Sequence, residues 1–346
     1  MKKSLFIIAT TALVISCASN DVKNDIIESN VEIGFAAETY KATRAEITSN
    51  ANLATAGGFV VWGYKAKNQA TMDWTVEPYT VFDGVNVYVK DGQDGAYISG
   101  TETDWTYATK KYWDKGASYC FYAVAPNGGS YSIAGATNNV KRITITGAAY
   151  GDASAAATKD YLISRAGVID RKGTNQANVD FIFNHTMAKV DFLLKKGDNV
   201  AGEVKVQSID MTGWDGGNGT FVQTLTATPN TLSHTEWTIP TPVADASVSL
   251  LTGESAALTT TGAKTTSKTF IMVPQTIDAG DLTFTIDFTV DGEPFYDHVG
   301  SVALEQIWGT DSHITYTITI DPQAIEFDVA SIAGFTNETT GAATVE

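Results

Sequence analysis

The ten residues Asp281 to Val290, DLTFTIDFTV, put Leu282, Phe284, Ile286, Phe288 and Val290 at every second position with polar residues between them. Extended backbone sends alternate side chains to opposite faces, so this pattern describes a strand with one buried and one wet face. The same period runs through Ile314 to Ile320 (ITYTITI), Val85 to Val89 (VNVYV) and Ile143 to Ile145. Phe59 to Tyr64, FVVWGY, is apolar at successive positions and fits a central strand covered on both faces. Only residues 50–56 and 153–157 invite a helix. The Asp-Gly and Asn-Gly pairs at 83–84, 91–92, 127–128, 215–216 and 291–292 break the strands at short intervals. Short antiparallel strands with turn-forming loops and no fixed-period repeat predict an all-β chain built of sandwiches. The polar run Arg171 to Asn178, RKGTNQAN, is the expected linker between two sandwiches of comparable size.

The amino terminus reads differently. Lys2 and Lys3 precede an uncharged stretch from Ser4 to Ser16, which is too short to span a bilayer and has the layout of a secretory signal. Val14-Ile15-Ser16-Cys17 is similar to the bacterial lipobox, in which the cysteine thiol receives a diacylglyceryl group and becomes the first mature residue. Residues 1–16 are therefore expected to be a lipoprotein signal peptide, Cys17 the lipidation site, and the acyl chains the anchor that holds the chain to a membrane without a transmembrane helix.

Loss of Lys2 and Lys3 makes the net charge of −16 two units more negative. A surface this acidic repels phosphate backbones and acidic lipids, which excludes nucleic acid as a partner. With Cys17 acylated, Cys120 has no second cysteine in the chain, so stability must come from core burial without disulfides.

Catalytic patterns are missing from the sequence. His185, His234, His298 and His313 lie in unrelated contexts, with no HExxH and no i, i+4 pair, so no metal site is expected. No GxSxG, GxxxxGKS or GxGxxG occurs in a suitable setting, and no cofactor is expected. Cys120 sits in the alternating stretch SYCFYAV and reads as a small buried hydrophobe. Asp91 and Asp94 lack the spaced oxygens of a calcium loop. Trp74, Trp105, Trp113, Trp214, Trp237 and Trp308 are scattered singly, the distribution of core aromatics more than of a glycan-stacking platform. The chain is expected not to be an enzyme.

Several segments together point to a family. Lys111 to Pro126, KYWDKGASYCFYAVAP, resembles the "YW … FYAYAP" signature of the fimbrillins, subunits of type V pili in Gram-negative anaerobes. Asp160-Tyr-Leu-Ile163 is similar to that family's "DLL" stretch, and Phe181 to Val190, FIFNHTMAKV, to its "F.H.LAKV" strand, with Met187 where leucine is usual. Val273-Pro274-Gln275, Trp308 and the closing Tyr316 to Ile320 before Ile325-Glu-Phe327 follow in the family's order.

The resemblance implies two tandem transthyretin-like Greek-key β-sandwich domains, here 45–176 and 177–321. It also implies export as an outer-membrane lipoprotein and polymerisation into a surface fimbrium by protease-triggered donor-strand exchange. In such proteins a trypsin-like protease cuts after a basic residue beyond the first strand. Val31 to Phe35 alternates as that strand should, residues 17–44 form the propeptide, and Arg44, followed by Ala45, maps to the cut. The tail 322–346 supplies the candidate donor strand: Ile325, Phe327 and Val329 lie two apart and share a face of an extended chain, away from Glu326 and Asp328. The implied partners are other pilus subunits, the outer membrane through the lipid, the processing protease, and a host or bacterial surface ligand. The rival reading of the sequence is a surface glycan-binding lipoprotein of a nutrient-uptake system.

Overall fold

Nearly every stretch with a period of two becomes a strand in the computed structural model, which describes residues 28–39, 49–66, 78–89, 105–114, 116–129, 131–135, 141–152, 158–164, 168–170, 178–225, 232–239, 241–261, 269–321 and 324–334. The described residues begin with β1 (Glu28–Glu32) and β2 (Gly34–Thr39), followed by the one short helix among them, α1 (Asn50–Thr55). The Ser49 hydroxyl caps that helix by accepting from the Asn52 N–H at 3.1 Å. Then come β3 (Phe59–Lys65), β4 (Tyr79–Val89), β5 (Trp105–Thr106), β6 (Tyr112–Asp114) and β7 (Ser118–Ala125). The middle of the chain holds β8 (Tyr131–Gly135), β9 (Lys141–Ala148), β10 (Gly151–Asp152), β11 (Leu162–Ser164), β12 (Val168–Asp170) and β13 (Asn178–His185). After it run β14 (Ala188–Lys196), β15 (Val204–Gly216), β16 (Gly219–Leu225), β17 (Leu232–Thr238), β18 (Val243–Thr252) and β19 (Phe270–Met272). The last six are β20 (Gln275–Ile277), β21 (Thr283–Val290), β22 (Glu293–Ser301), β23 (Gln306–Trp308), β24 (Ser312–Asp321) and β25 (Ala324–Gly334).

The carboxyl-terminal half is a sandwich. A five-stranded sheet, β10-β19-β14-β24-β25, faces a four-stranded sheet, β18-β15-β21-β22. Val190, Phe192 and Leu194 of β14 and Tyr316, Ile318 and Ile320 of β24 meet Phe284, Ile286 and Phe288 of β21, all fully buried. The threonines between the isoleucines of β24 follow the opposite parity, as the sequence pattern predicts.

The amino-terminal half is built on an eight-stranded sheet with the path β2-β13-β11-β7-β3-β4-β5, to which β12 adds by pairing with β7. One face carries an aromatic core that includes Phe35, Phe59, Phe82, Phe121, Phe181 and Phe183. The other face is also dry: Val60, Trp62, Tyr122 and Val124 pack against Ile143, Ile145 and Phe221 of a covering sheet, β17-β16-β9-β8. This double burial explains why β3 and β7 read as continuous apolar runs.

The covering sheet joins the two halves, since β8 and β9 precede residue 150 and β16 and β17 follow residue 218. Strand β13 lies between β2 and β11, so the amino-terminal sheet continues to His185 before β14 begins the carboxyl-terminal one. Of the expected linker, residues 171–177 lie outside the described residues, and Asn178 is the first residue of β13.

The segment expected as the donor strand forms β25, antiparallel to β24 of the same chain, with Ile325, Phe327 and Val329 opposite Ile320, Ile318 and Tyr316. Asp321 pairs with Ala324 across Pro322. The alternation that suits a donor strand suits an end strand equally well, and sequence alone does not separate the two.

Candidate functional site

Strand β2 occupies one end of the eight-stranded sheet and runs parallel to β13, with Gly34 opposite Asn178 and Thr39 opposite Phe183. A parallel ladder between residues so far apart in sequence needs a long crossover. Ile33, just before the strand, and Phe35 and Ala37 within it are 0%, 2% and 4% exposed, whereas Gly34 and Ala36 between them are partly open.

Phe35 is the centre of this bed. Its ring stacks on Phe181 at 5.6 Å and an 18° interplanar angle, and meets Phe59, Phe82, Tyr107 and Phe121 edge-on at 5.3 to 6.5 Å. Gly63 makes room for two of those partners: a Cβ there would stand 2.8 Å from the rings of Phe82 and Phe121. Burying a phenylalanine contributes about 1.5 to 3 kcal/mol, and each favourable ring pair about 0.5 to 1.5 kcal/mol more. The other side of the strand is tied by the Ile33 N–H, which donates to the Lys111 carbonyl at 2.8 Å, and by β1, which pairs with β6. Lys110 reaches Glu32 at 2.6 Å and lies over the Tyr107 ring.

The arrangement is an end strand in which Phe35 and Ala37, with Ile33 just ahead of it, fill an aromatic groove. Between β2 and α1 lies the segment containing Lys41, Arg44 and Ala45. Arg44 and Ala45, like Cys17, lie outside the described residues. Strand β25, with Ile325, Phe327 and Val329, is the end strand of the five-stranded sheet, bonded on one side only. Sequence reasoning found the alternation of β2 but not its partners, because a parallel pairing leaves no local mark.

Other chemistry-bearing residues have structural settings. Asp160 and His185 pair at 2.9 Å in the interior, and His313 reaches Asp191 at 2.9 Å. His298 lies against Phe288 and Phe295. Cys120 is 1% exposed and hydrogen-bonds the Tyr122 hydroxyl; burial pushes its thiol up to about 12, far from a nucleophile's range. Trp105, Trp113, Trp214 and Trp308 are buried, and Trp237 is half-buried with its N–H donated to the Thr186 carbonyl at 2.6 Å. These five form no exposed stacking surface; Trp74 lies outside the described residues. A cleft of about 240 Å³ runs beside Trp214, Asp215, Gln275, Asp278 and Asp281. Among the described residues no group of three carboxylate, histidine or cysteine side chains is placed to hold a metal ion.

The profile of the fimbrillin-like family matches residues 43–345. The chain belongs to the fimbrillin-like family. The matched span takes in the tail and leaves β1 and β2 ahead of it. This fimbrillin-like chain shares its fold with a fimbrial protein from Bacteroides vulgatus, 15% identical, with 89% of this chain and 100% of that one covered and a TM-score of 0.54. A structure from Bacteroides uniformis is also 15% identical, covering 88% and 98% of the two chains with a TM-score of 0.45. A fimbrial assembly protein from Parabacteroides distasonis is 12% identical, covering 86% and 94%, with a TM-score of 0.37. None of the curated proteins compared with the fimbrillin-like chain matches it.

Proposed function

We propose that this fimbrillin-like chain is a non-enzymatic structural subunit of a type V pilus on the cell surface, where it associates with other pilus subunits and serves adhesion. The precursor is held at the outer membrane by lipid on Cys17. A trypsin-like protease cuts between Arg44 and Ala45, β2 leaves, and the tail of a neighbouring subunit enters the vacated groove through Ile325, Phe327 and Val329.

The observation that carries this reading is the position of β2. An end strand attached to its domain through a segment holding a basic residue can be released by one cut, and its departure exposes both a row of β13 backbone groups and the aromatic bed around Phe35. Such an edge beside an apolar groove is what β-augmentation needs. In the isolated chain the tail rests on β24, so exchange requires β25 to peel from one ladder before it joins another. An Arg44 cut combined with a usable tail favours a stalk subunit over an anchor or a tip.

The test is the state of protein sheared from cells. Chains that begin at Ala45 and run as SDS-resistant ladders support the reading. Ladders whose chains retain an intact bond between Arg44 and Ala45 overturn it.

A further inference from the structure

Given that exchange, we infer that the incoming tail docks in one frame only: Ile325 in the place of Ile33, Phe327 in that of Phe35, and Val329 in that of Ala37. The inference rests on the proposed exchange and adds its register.

The residues Ile33 to Ala37 read IGFAA, and Ile325 to Val329 read IEFDV. At the three alternate positions the order is the same: a β-branched aliphatic, a phenylalanine, a small aliphatic. Just before and within β2 these positions are the buried ones. Phe327 is the only aromatic residue between 322 and 334, and the next, Phe335, is flanked two residues away by Ala333 and Asn337.

Other frames fail on specific contacts. A shift of one residue turns the tail over and drives Glu326 and Asp328 into a bed of five aromatic rings with no basic partner among them. A shift of two in one direction puts Ile325 where Phe35 was and leaves the ring of Phe181 without its stacked partner; Phe327 then meets the site that held only the methyl of Ala37. A shift of two the other way sends Val329 to the Phe35 site. In the matching frame the Ile325 N–H takes the Lys111 carbonyl that Ile33 used.

The frame has a signature on the open face. Asn178, Asp180 and Ile182 of β13 stand opposite Gly34, Ala36 and Glu38, and all three are exposed. A tail running in the direction of β2 sets Glu326 beside Asn178, Asp328 beside Asp180, and Ala330 beside Ile182. Two carboxylates thus become neighbours across the joint, a repulsion that β2 itself does not have because Ala36 occupies that position.

Paired cysteines read the frame in polymers sheared from cells. Asp180→Cys with Asp328→Cys is expected to give intersubunit disulfides in most joints, and Asp180→Cys with Glu326→Cys or with Ala330→Cys to give few. Charge reversal provides a second reading without new thiols. Asp180→Lys and Asp328→Lys should each raise polymer yield several-fold, and the double variant should lose that gain by restoring like charges. Abundant cross-links from either offset pair, or polymers that form normally with no cross-link from the 180–328 pair, overturn the frame while leaving exchange intact. Wild-type chains cut after Arg44 that form no polymer overturn the exchange reading itself.

Discussion

The hydroxyl of Tyr107 donates to the main-chain carbonyl of Ile33 at 2.8 Å, joining the start of β2 to a residue 74 positions later in the chain. The bond is buried, and a second contact from the same oxygen to the Lys111 carbonyl, at 3.3 Å, places it between the two backbones that grip the strand. Tyr107→Phe removes the donor and leaves the Ile33 carbonyl without it, which should cost the intact precursor about 1 to 3 kcal/mol in thermal unfolding. The variant should also release β2 sooner after cleavage, measured as a shorter lag before ladders appear.

Burial, followed by the charge of Glu32 and the neighbouring Tyr112, raises the Tyr107 hydroxyl to about 12 against the opposing Lys111 hydrogen bond. Its folded pKa lies above its unfolded value near 10, so its contribution to stability is complete below about pH 10 and is lost as pH rises from 10 towards 12. Stability curves across this window should fall for the wild type. The Tyr107→Phe variant should show a shallower fall; an unchanged slope would mean that the hydroxyl is not held neutral by this site.

Phe35→Ala should destabilise the intact precursor by about 3 to 5 kcal/mol, because five rings lose their common partner. After cleavage and removal of β2, the variant and the wild type are the same polypeptide, and their melting curves should coincide. A persistent difference after removal would show that β2 remains bound.

Phe327 stands opposite Ile318, a fully buried residue of β24, in the isolated chain. Phe327→Asp puts a residue disfavoured in strands into the ladder that β25 forms with β24. The monomer's thermal midpoint should drop by several degrees and ladders should disappear. An unchanged midpoint with ladders lost would mean that β25 adds nothing to its own sandwich and acts only on a neighbour.

Cys17→Ala should abolish incorporation of a fatty-acid analogue and release the precursor from the membrane fraction. Labelling that survives the substitution would place the lipid elsewhere.

Most of the strand content was open to sequence reading, because a period of two is local: β21 and β24 follow their alternation residue by residue, and β3 and β7 announce their two dry faces by continuous apolar runs. Of the two stretches that invite a helix, 50–56 holds the short helix at Asn50, and 153–157 lies outside the described residues. Partnership was not visible. Nothing near Gly34 states that it faces Asn178, and nothing near Ile143 states that it will cover Trp62 together with Phe221. The tail shows the same limit, since Ile325, Phe327 and Val329 look alike whether they close their own sandwich or another one.

The sheet that carries Phe121 has two dry faces: on one, Phe121 shares an aromatic core with Phe35 of the same sheet, and on the other lies the sheet of β9 and β16. In the proposed exchange, loss of β2 takes Phe35 out of the first core and leaves Val60, Trp62, Tyr122 and Val124 sealed beneath Ile143, Ile145 and Phe221. On that proposal an opened subunit keeps a fastened back while its front stands vacant for a neighbour.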